Sequence, residues 1–413
     1  MKQRILYLMI FCLTMGAFAR GQESADSVGQ QEIVIRDSAN FVKASLMIAE
    51  PSRLHVQSEF GHAFLRMRCD EAGLDYCFSM ESGDYEGFFD ICTGHYPNRL
   101  INVPTAEYMK LFDREGRIVT EYPIDIRVEE GQRLWQLLDS VCLSGPSPHQ
   151  DYFHHGCSQE VVRFVEWGLG GTIVYGENAK KFGNTAFILG NQLLPANSWL
   201  HIPPSMLATT DGTDRKLTDA EKAMIPSIIP TLLADARLVK PDGESRPVLK
   251  DTAPIVHQPE NRTPESQALP IYVWFALLFL FTLVVNLVGM RGTGKWARCL
   301  SKVTDAGLFL LYNLILLAMV VVCWRSTLPT TSGWNWNYLI YNPIPLLVWF
   351  YDRFRGLSHG CWRKTYLAYA CWLCLYMVVM FIVGDHLILE QYLLIGTFSA
   401  RCLFKVKEHR IND

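Results

Sequence analysis

The pair of residues in this sequence with the most chemistry in them is Cys157 and His62. Cys157 stands in the run Tyr152-Phe-His-His-Gly-Cys157-Ser-Gln-Glu-Val-Val-Arg-Phe-Val-Glu-Trp167-Gly. After it, Val161, Val162, Phe164, Val165 and Leu169 recur at helical spacing, and Gly168, Gly170 and Gly171 supply a stop. The spacing predicts Cys157 in the first turn of an amphipathic helix. Unpaired backbone N–H groups at such a start favour negative charge and push a thiol toward its nucleophilic thiolate. A nucleophile of this kind needs a base. His62 is the best-placed histidine: it follows Gly61 and opens Ala63-Phe-Leu-Arg-Met-Arg68, whose mixed apolar character suits a partly buried strand. Together they could attack an amide or ester carbonyl and shuttle its proton. Two blander readings compete. One makes Cys157 a buried or disulfide-bonded structural residue, the other a zinc ligand with His149, His154 and His155, although that spacing matches no familiar zinc site. His154 and His155 read better as substrate-cleft residues beside the nucleophile. No metal and no cofactor is expected, and there is no G-x-S-x-G elbow, H-E-x-x-H pair or phosphate-binding glycine loop.

The elements that must position this pair are legible nearby. Lys43-Ala-Ser-Leu-Met-Ile-Ala49 and Asp75-Tyr-Cys-Phe-Ser-Met-Glu81 look like two further strands flanking the His62 run. Residues 41–239 therefore read as one globular domain. Residues 240–268 are rich in Pro, Ser and charge, with almost no apolar periodicity, and read as a linker.

Composition divides the chain further. Of 413 residues, 49% are hydrophobic and only 19% charged, against about 25% in an average globular chain. That argues against a disordered protein or an ordinary cytosolic enzyme. The net charge of -3 hides an asymmetry: residues 21–268 carry 22 Lys+Arg and 35 Asp+Glu, residues 269–413 carry 13 and 6, and the first twenty residues add three cations. The acidic half disfavours nucleic acid as a partner. Lys2 and Arg4, the apolar run Ile5–Leu13 and small residues at Ala17 and Ala19 form a secretory signal over residues 1–20. Residues 269–413 read as a membrane domain with spans at about 269–290, 303–324, 336–351, 365–383 and 387–403, the third broken by Pro343 and Pro345. Loops 291–302 and 352–364 and the C-terminal tail carry most of the Lys and Arg, so the positive-inside rule puts them in the cytoplasm and the globular domain outside. The expected location is a bacterial inner membrane, multi-pass, with a periplasmic N-terminal domain. Trp334, Trp336 and Tyr338 read as an aromatic belt, Asn335, Asn337 and Asn342 as part of a broken segment, and Glu390 as a snorkelling acid near the outer end of the last span. Five cysteines fall in the exported domain: Cys69, Cys77, Cys92, Cys142 and Cys157. An odd number in an oxidising compartment predicts pairing among four with one left over, in connectivities the sequence does not choose between.

Several segments resemble the Lnb-type N-terminal periplasmic domain family of exported bacterial proteins. They are Ala44-Ser-Leu-Met-Ile-Ala-Glu-Pro51, Glu59-Phe-Gly-His-Ala-Phe-Leu-Arg66, Gly116-Arg-Ile-Val-Thr-Glu121 and Tyr152–Cys157, with Ile188-Leu-Gly190 and Ile202–Leu207 more weakly. Trp334-Asn-Trp-Asn337 followed by Asn342-Pro343 is similar to the multi-span tail of many members. Where the family usually has Asn before the cysteine, this chain has Gly156. The resemblance implies an α+β fold of circularly permuted papain-like type, as in NlpC-type and lecithin:retinol acyltransferase-like thiol enzymes, where the histidine precedes the cysteine. The residue that orients the imidazole would then lie on the strand after His62, where Ser79 and Glu81 share a face and either could serve.

The expectation is a membrane-anchored cysteine hydrolase or acyltransferase, an exported α+β domain followed by five helices. Its substrate would be an amide or ester in the cell envelope: a peptidoglycan peptide, a lipid amide or an exported protein. The competing expectation is a catalytically silent periplasmic sensor, chaperone or assembly module coupled to the membrane helices.

Overall fold

The structure is a computed structural model that describes residues 43–54, 58–82, 93, 98–145, 156–207, 214–262, 268–291, 294–328, 335–383 and 387–412. The N-terminal region is α+β. Strands β1 (Lys43–Ala49), β2 (His62–Cys69), β3 (Leu74–Ser82) and β4 (Asn98–Pro104) lead into helix α1 (Thr105–Glu115) and strand β5 (Val119–Pro123). Helices α2 (Val128–Ser144) and α3 (Cys157–Leu169) follow, then β6 (Thr172–Val174) and the short helices α4 (Ala186–Leu193), α5 (Ile202–Leu207) and α6 (Ile229–Ala234). Strands β7 (Arg237–Val239), β8 (Ser245–Pro247) and β9 (Ile255–His257) complete the region. The main sheet is antiparallel in the order β4-β3-β2-β1-β5-β9, and β6-β7-β8 form a second, small sheet.

The period of two in the strands sorts side chains onto two faces. Ala63, Leu65, Met67 and Cys69 of β2, with Phe78 and Met80 of β3, point into the larger core, against Leu134 and Leu138 of α2 and Val161, Phe164 and Val165 of α3. Phe64 and Cys77 point the other way, beneath Tyr108 and Phe112 of α1. Gly170, at φ +67°, takes the left-handed conformation that ends α3. Gly168 is not part of that stop. It lies inside the helix, where a Cβ would come within 2.6 Å of Leu134, so it is the point at which α2 and α3 approach most closely.

Residues 240–262 belong to this region rather than to a linker. Lys240 and Arg246 both reach the buried Glu130 of α2, at 2.5 Å each, and Val248 is buried. β9 pairs with β5 from Val119↔His257 to Glu121↔Ile255. The charges that mimic a solvated linker are partners of a carboxylate far away in sequence.

The C-terminal region is helical. Among the described residues three helices are long and apolar enough to cross a membrane: α7 (Ile271–Arg291), α8 (Lys295–Arg325) and the stretch Gly360–Ile382 of a later helix. Where the sequence predicts a third span over 336–351, the chain makes a single 3-10 turn (Trp336–Leu339), breaks at Pro343 and forms the 12-residue helix α9 (Ile344–Arg355). Twelve helical residues rise only about 18 Å, too short for the hydrocarbon core. Helices α10 (His359–Val383) and α11 (Leu389–Asn412) end the chain.

Two charged residues of α11 are placed differently from expectation. Arg401, counted among the cytoplasmic cations of the C-terminal end, is buried inside the helical region. Its guanidinium donates to Asp305 Oδ1 (2.6 Å), Asn286 Oδ1 (2.6 Å) and Ser301 O and Oγ (2.8 and 2.6 Å), which pins α7, α8 and α11 together. Glu390 does not snorkel to solvent. It is buried, and with His201, Asn191 and Tyr272 it lines a cavity of about 660 Å³ at the junction of the two regions.

Candidate functional site

His62 is the first residue of β2, paired with Ala49 at the end of β1. Its position depends on Gly61. At φ +91° that residue is in a conformation side chains rarely adopt, and a Cβ there would sit 2.8 Å from Ala49 O. The imidazole ring stacks near Phe64 (5.8 Å between centroids) and Phe112 (6.4 Å), on the face covered by α1. Helix α3 lies over the opposite face of β2 and β3, and its first residue reaches the end of the sheet. There Cys157 comes close enough to His62 to raise the imidazole, as a polar partner and as a neighbouring charge. The start of α3 is tied down by its own polar side chains. Gln159 Oε1 accepts from Gly156 N–H (3.0 Å), Gln159 Nε2 donates to Glu221 O (2.9 Å) and Ser158 Oγ donates to Met224 O (2.9 Å). Gly156 has no capping side chain, and Gln159 supplies the reciprocal half of a capping box from within the helix.

Ser79 and Glu81 act in series. His62 Nε2 lies 2.7 Å from Ser79 Oγ, and Ser79 Oγ donates to Glu81 Oε1 at 2.8 Å. Because the serine proton goes to the carboxylate, the serine oxygen is left to accept from the imidazole N–H. A direct His62–Glu81 contact of 3.5 Å supplements the relay. Tyr108 completes the cluster: its hydroxyl donates to Glu81 and stands 2.9 Å from Ser79 Oγ and 3.2 Å from His62 Nε2. The sequence reading did not single out Tyr108. With Phe112 at i+4 it looks like one stripe of core, and its only signal was the polar handle that a buried tyrosine must satisfy.

The electrostatics follow from these contacts. Burial by itself would lower His62, but the hydrogen bond to Cys157 and the adjacent Glu81 carboxylate outweigh it and hold the imidazole at about 9. Burial would raise Glu81, yet its bond to His62 and the His62 charge, with Tyr108 and Ser79, pull it down to about 2. Burial and then the Glu81 charge push Tyr108 well above its ordinary value, so it stays a donor. The site faces water: the His62 side chain keeps 17% of its surface exposed and Glu81 keeps 39%.

The same sheet face carries a second polar cluster. Arg66 forks onto Asp75 (2.8 and 2.6 Å) and reaches Glu121 (2.7 Å). Glu121 also accepts from Ser45 (2.7 Å) and lies 3.1 Å from His257 of β9, and Thr105 donates to Asp75 (2.6 Å). Burial opposes ionisation of both acids, but the Arg66 guanidinium and these hydroxyls hold them below the usual carboxylate range.

The other cysteines are not paired as expected. Cys69, Cys77 and Cys142 carry free thiols. Cys69 and Cys77 belong to opposite faces of the sheet, so they cannot bridge, and Cys77 lies against Thr105 Oγ1 at 3.4 Å. Burial pushes both Cys77 and Cys142 up to about 12, which makes them inert at neutral pH. Cys92, His149, His154 and His155 lie outside the described residues, so the substrate-cleft and zinc readings fall there too. Among the described residues no three His, Cys, Asp or Glu side chains converge on a metal position. No family model, curated protein or solved structure matches the chain.

Proposed function

We propose that this protein is a thiol hydrolase or acyltransferase of permuted papain-like type that acts on an amide or ester at the outer face of a bacterial inner membrane. The observation that carries this reading is the polar relay His62–Ser79–Glu81, with Cys157 beside His62 on the first residue of a helix. Nε2 faces Ser79, Glu81 and Tyr108, which leaves Nδ1 as the nitrogen for the thiol. Cys157 Sγ attacks the carbonyl carbon as a thiolate, and the tetrahedral oxyanion is held by backbone N–H groups at the start of α3. The His62 imidazolium returns its proton to the leaving amine or alcohol. Water or an acceptor nucleophile, deprotonated by the neutral His62, then releases the acyl group from sulfur. The Ser79–Glu81 relay keeps the ring oriented and its charged form stable.

The order of the pair in the chain, His62 before Cys157, supports the permuted arrangement and agrees with the resemblance to the Lnb-type periplasmic domain family. The apolar helices and the Lys and Arg of their loops support an anchored protein with the α+β region outside, five helices in the C-terminal region and a cytoplasmic C-terminus. The substrate on this reading is a peptidoglycan peptide, a lipid amide or an exported protein close to the membrane surface.

The test is labelling of the full chain with an electrophilic thiol probe. Rapid modification of Cys157 that is lost in His62→Ala is the expected result. Slow labelling that His62→Ala leaves unchanged would overturn thiol catalysis in favour of a silent sensor, chaperone or assembly module. Comparison of envelope chemistry between wild type and Cys157→Ala then identifies the bond that is cut or transferred.

A further inference from the structure

The Asn335/Asn337 pair is not used by the chemistry above, yet it is among the most buried polar groups in the chain. Asn335 Nδ2 donates to Met206 O (2.8 Å) and Asn337 Nδ2 to Ser205 O (2.8 Å), and Gln391 Nε2 of α11 donates to the same Ser205 O (3.1 Å). The three amides also brace one another. Asn335 Oδ1 accepts from Asn337 N–H (2.8 Å), and Gln391 Nε2 lies 3.3 Å from Asn337 Oδ1. All five groups are buried, at 2% to 8% exposure. A six-residue helix leaves its last carbonyls unsatisfied, and here the helical region satisfies those of α5. The clasp therefore joins a segment of the α+β region to the membrane helices through directional bonds, not only through the apolar packing of Met206 against Tyr341 and Ile395.

The segment held by the clasp leads to the candidate base. Just ahead of α5, the buried Ser198 donates to Glu59, and Arg53 donates to Asn197. Glu59 stands shortly before Gly61 and His62, in a loop closed by Ser52 N–H to Ser58 O (2.8 Å) and Gly61 N–H to Ser58 O (3.0 Å). The same segment is fixed to the top of α7, where Ile271 N–H donates to Ala196 O (2.9 Å).

We infer that Asn335, Asn337 and Gln391 are positioning residues for the thiol site: the membrane helices set the place of His62 through α5, Ser198 and Glu59. This rests on the Cys157–His62 reading. It makes the α+β region a dependent unit, whose base is aligned only while the helices hold α5.

The measurement is the pH profile of Cys157 alkylation by iodoacetamide in the full chain, reconstituted in lipid nanodiscs. In wild type alkylation at pH 6 is faster than in His62→Ala, because the aligned imidazole assists the thiol. In Asn337→Ala and in Gln391→Ala the rate at pH 6 falls about three- to thirtyfold, the range of mutations along a coupled network, and the profile moves toward that of His62→Ala. Ser198→Ala, which cuts the path outside the helices, moves the profile the same way. A purely structural clasp would lower thermal stability and leave the pH profile of the folded protein where it was, and that result overturns the inference. Should Asn337→Ala fail to accumulate, Ser198→Ala decides alone: a wild-type profile there overturns the inference. His62→Ala separates the two levels. If it leaves alkylation unchanged, the Cys157–His62 reading itself falls. If it abolishes fast labelling while the clasp variants do not, only the positioning role falls.

Discussion

Two polar clusters share the face of the sheet beneath α1, one on β2 and β3 alone and the other reaching across to β5. Arg66–Asp75–Glu121 and His62–Ser79–Glu81 each set a partly buried cation against acid and hydroxyl side chains, two carboxylates in the first and one in the second. They differ in what the cation can do. Arg66 cannot lose its proton, and its nitrogens are occupied by a fork onto one acid and a bond to another, the bidentate geometry that gives the strongest pairs. His62 stands at the end of β2, can give up its proton, with the imidazole held at about 9, and has a second partner in Cys157, only partly buried at the start of α3. One cluster is a rivet and the other a relay. An ion pair buried in a sheet is therefore weak evidence of function by itself. Position at the end of a strand, a titratable cation and a nucleophile from another element make the difference.

The comparison breaks most visibly at Arg66. Arg66→Ala leaves the buried Glu121 without its charge partner, and a loss of about 3–5 kcal/mol in unfolding free energy is expected, measured by denaturant unfolding, with the alkylation profile of the folded fraction unchanged. Loss of Cys157 reactivity in parallel with stability would erase the distinction between rivet and relay. Next is Glu81→Gln, which removes the charge that keeps His62 protonated. A charged hydrogen bond contributes about 1.5–3 kcal/mol, so Cys157 alkylation at pH 6 should slow about ten- to a hundredfold, with a smaller loss of unfolding midpoint than in Arg66→Ala.

The pH dependence of stability sharpens the contrast. His62 is raised from 6.5 to about 9, so the stability it contributes is fully present below pH 6.5 and is lost as pH rises through about 9. Glu81 is lowered from 4.5 to about 2, so its contribution is full above pH 4.5 and is lost as pH falls through about 2. The two give a plateau between pH 4.5 and 6.5. Its alkaline shoulder, about 1–3 kcal/mol once solvent screening of the half-open Glu81 is allowed for, should vanish in His62→Gln in thermal melts across pH. The smallest effect is that of Tyr108→Phe. It removes one donor from Glu81, about 1 kcal/mol, and should slow alkylation a few-fold while leaving the Arg66 cluster untouched.

How much of this was legible in the sequence follows from the range of the forces involved. Strands β1, β2 and β3 and helix α3 were readable because their burial patterns repeat every two or 3.6 residues within a single segment. Cys157 at a helix start and His62 at a strand start were readable for the same reason. Ser79 and Glu81 were visible as two residues on one face, but their order in a relay depends on where the Ser79 proton goes, which Tyr108 on another element helps decide. Segment 240–262 was misread because Lys240 and Arg246 are solvated-looking charges whose partner, Glu130, is distant in sequence. Arg401 reads in the sequence as one more cytoplasmic cation because Asp305, Asn286 and Ser301, which take it into the interior, lie on two other helices.

Strand β9 has a consequence for how the molecule is made. It covers the outer edge of β5 with residues that stand shortly before α7. During synthesis the sheet cannot close until nearly all of the polypeptide ahead of the first apolar helix has been delivered, so β5 spends that interval as an open edge. Open edges are templates for pairing with other chains, and late, non-local closure lengthens the exposure. Excision at residue 239 would make that interval permanent, whereas excision beyond His257 would keep the edge covered.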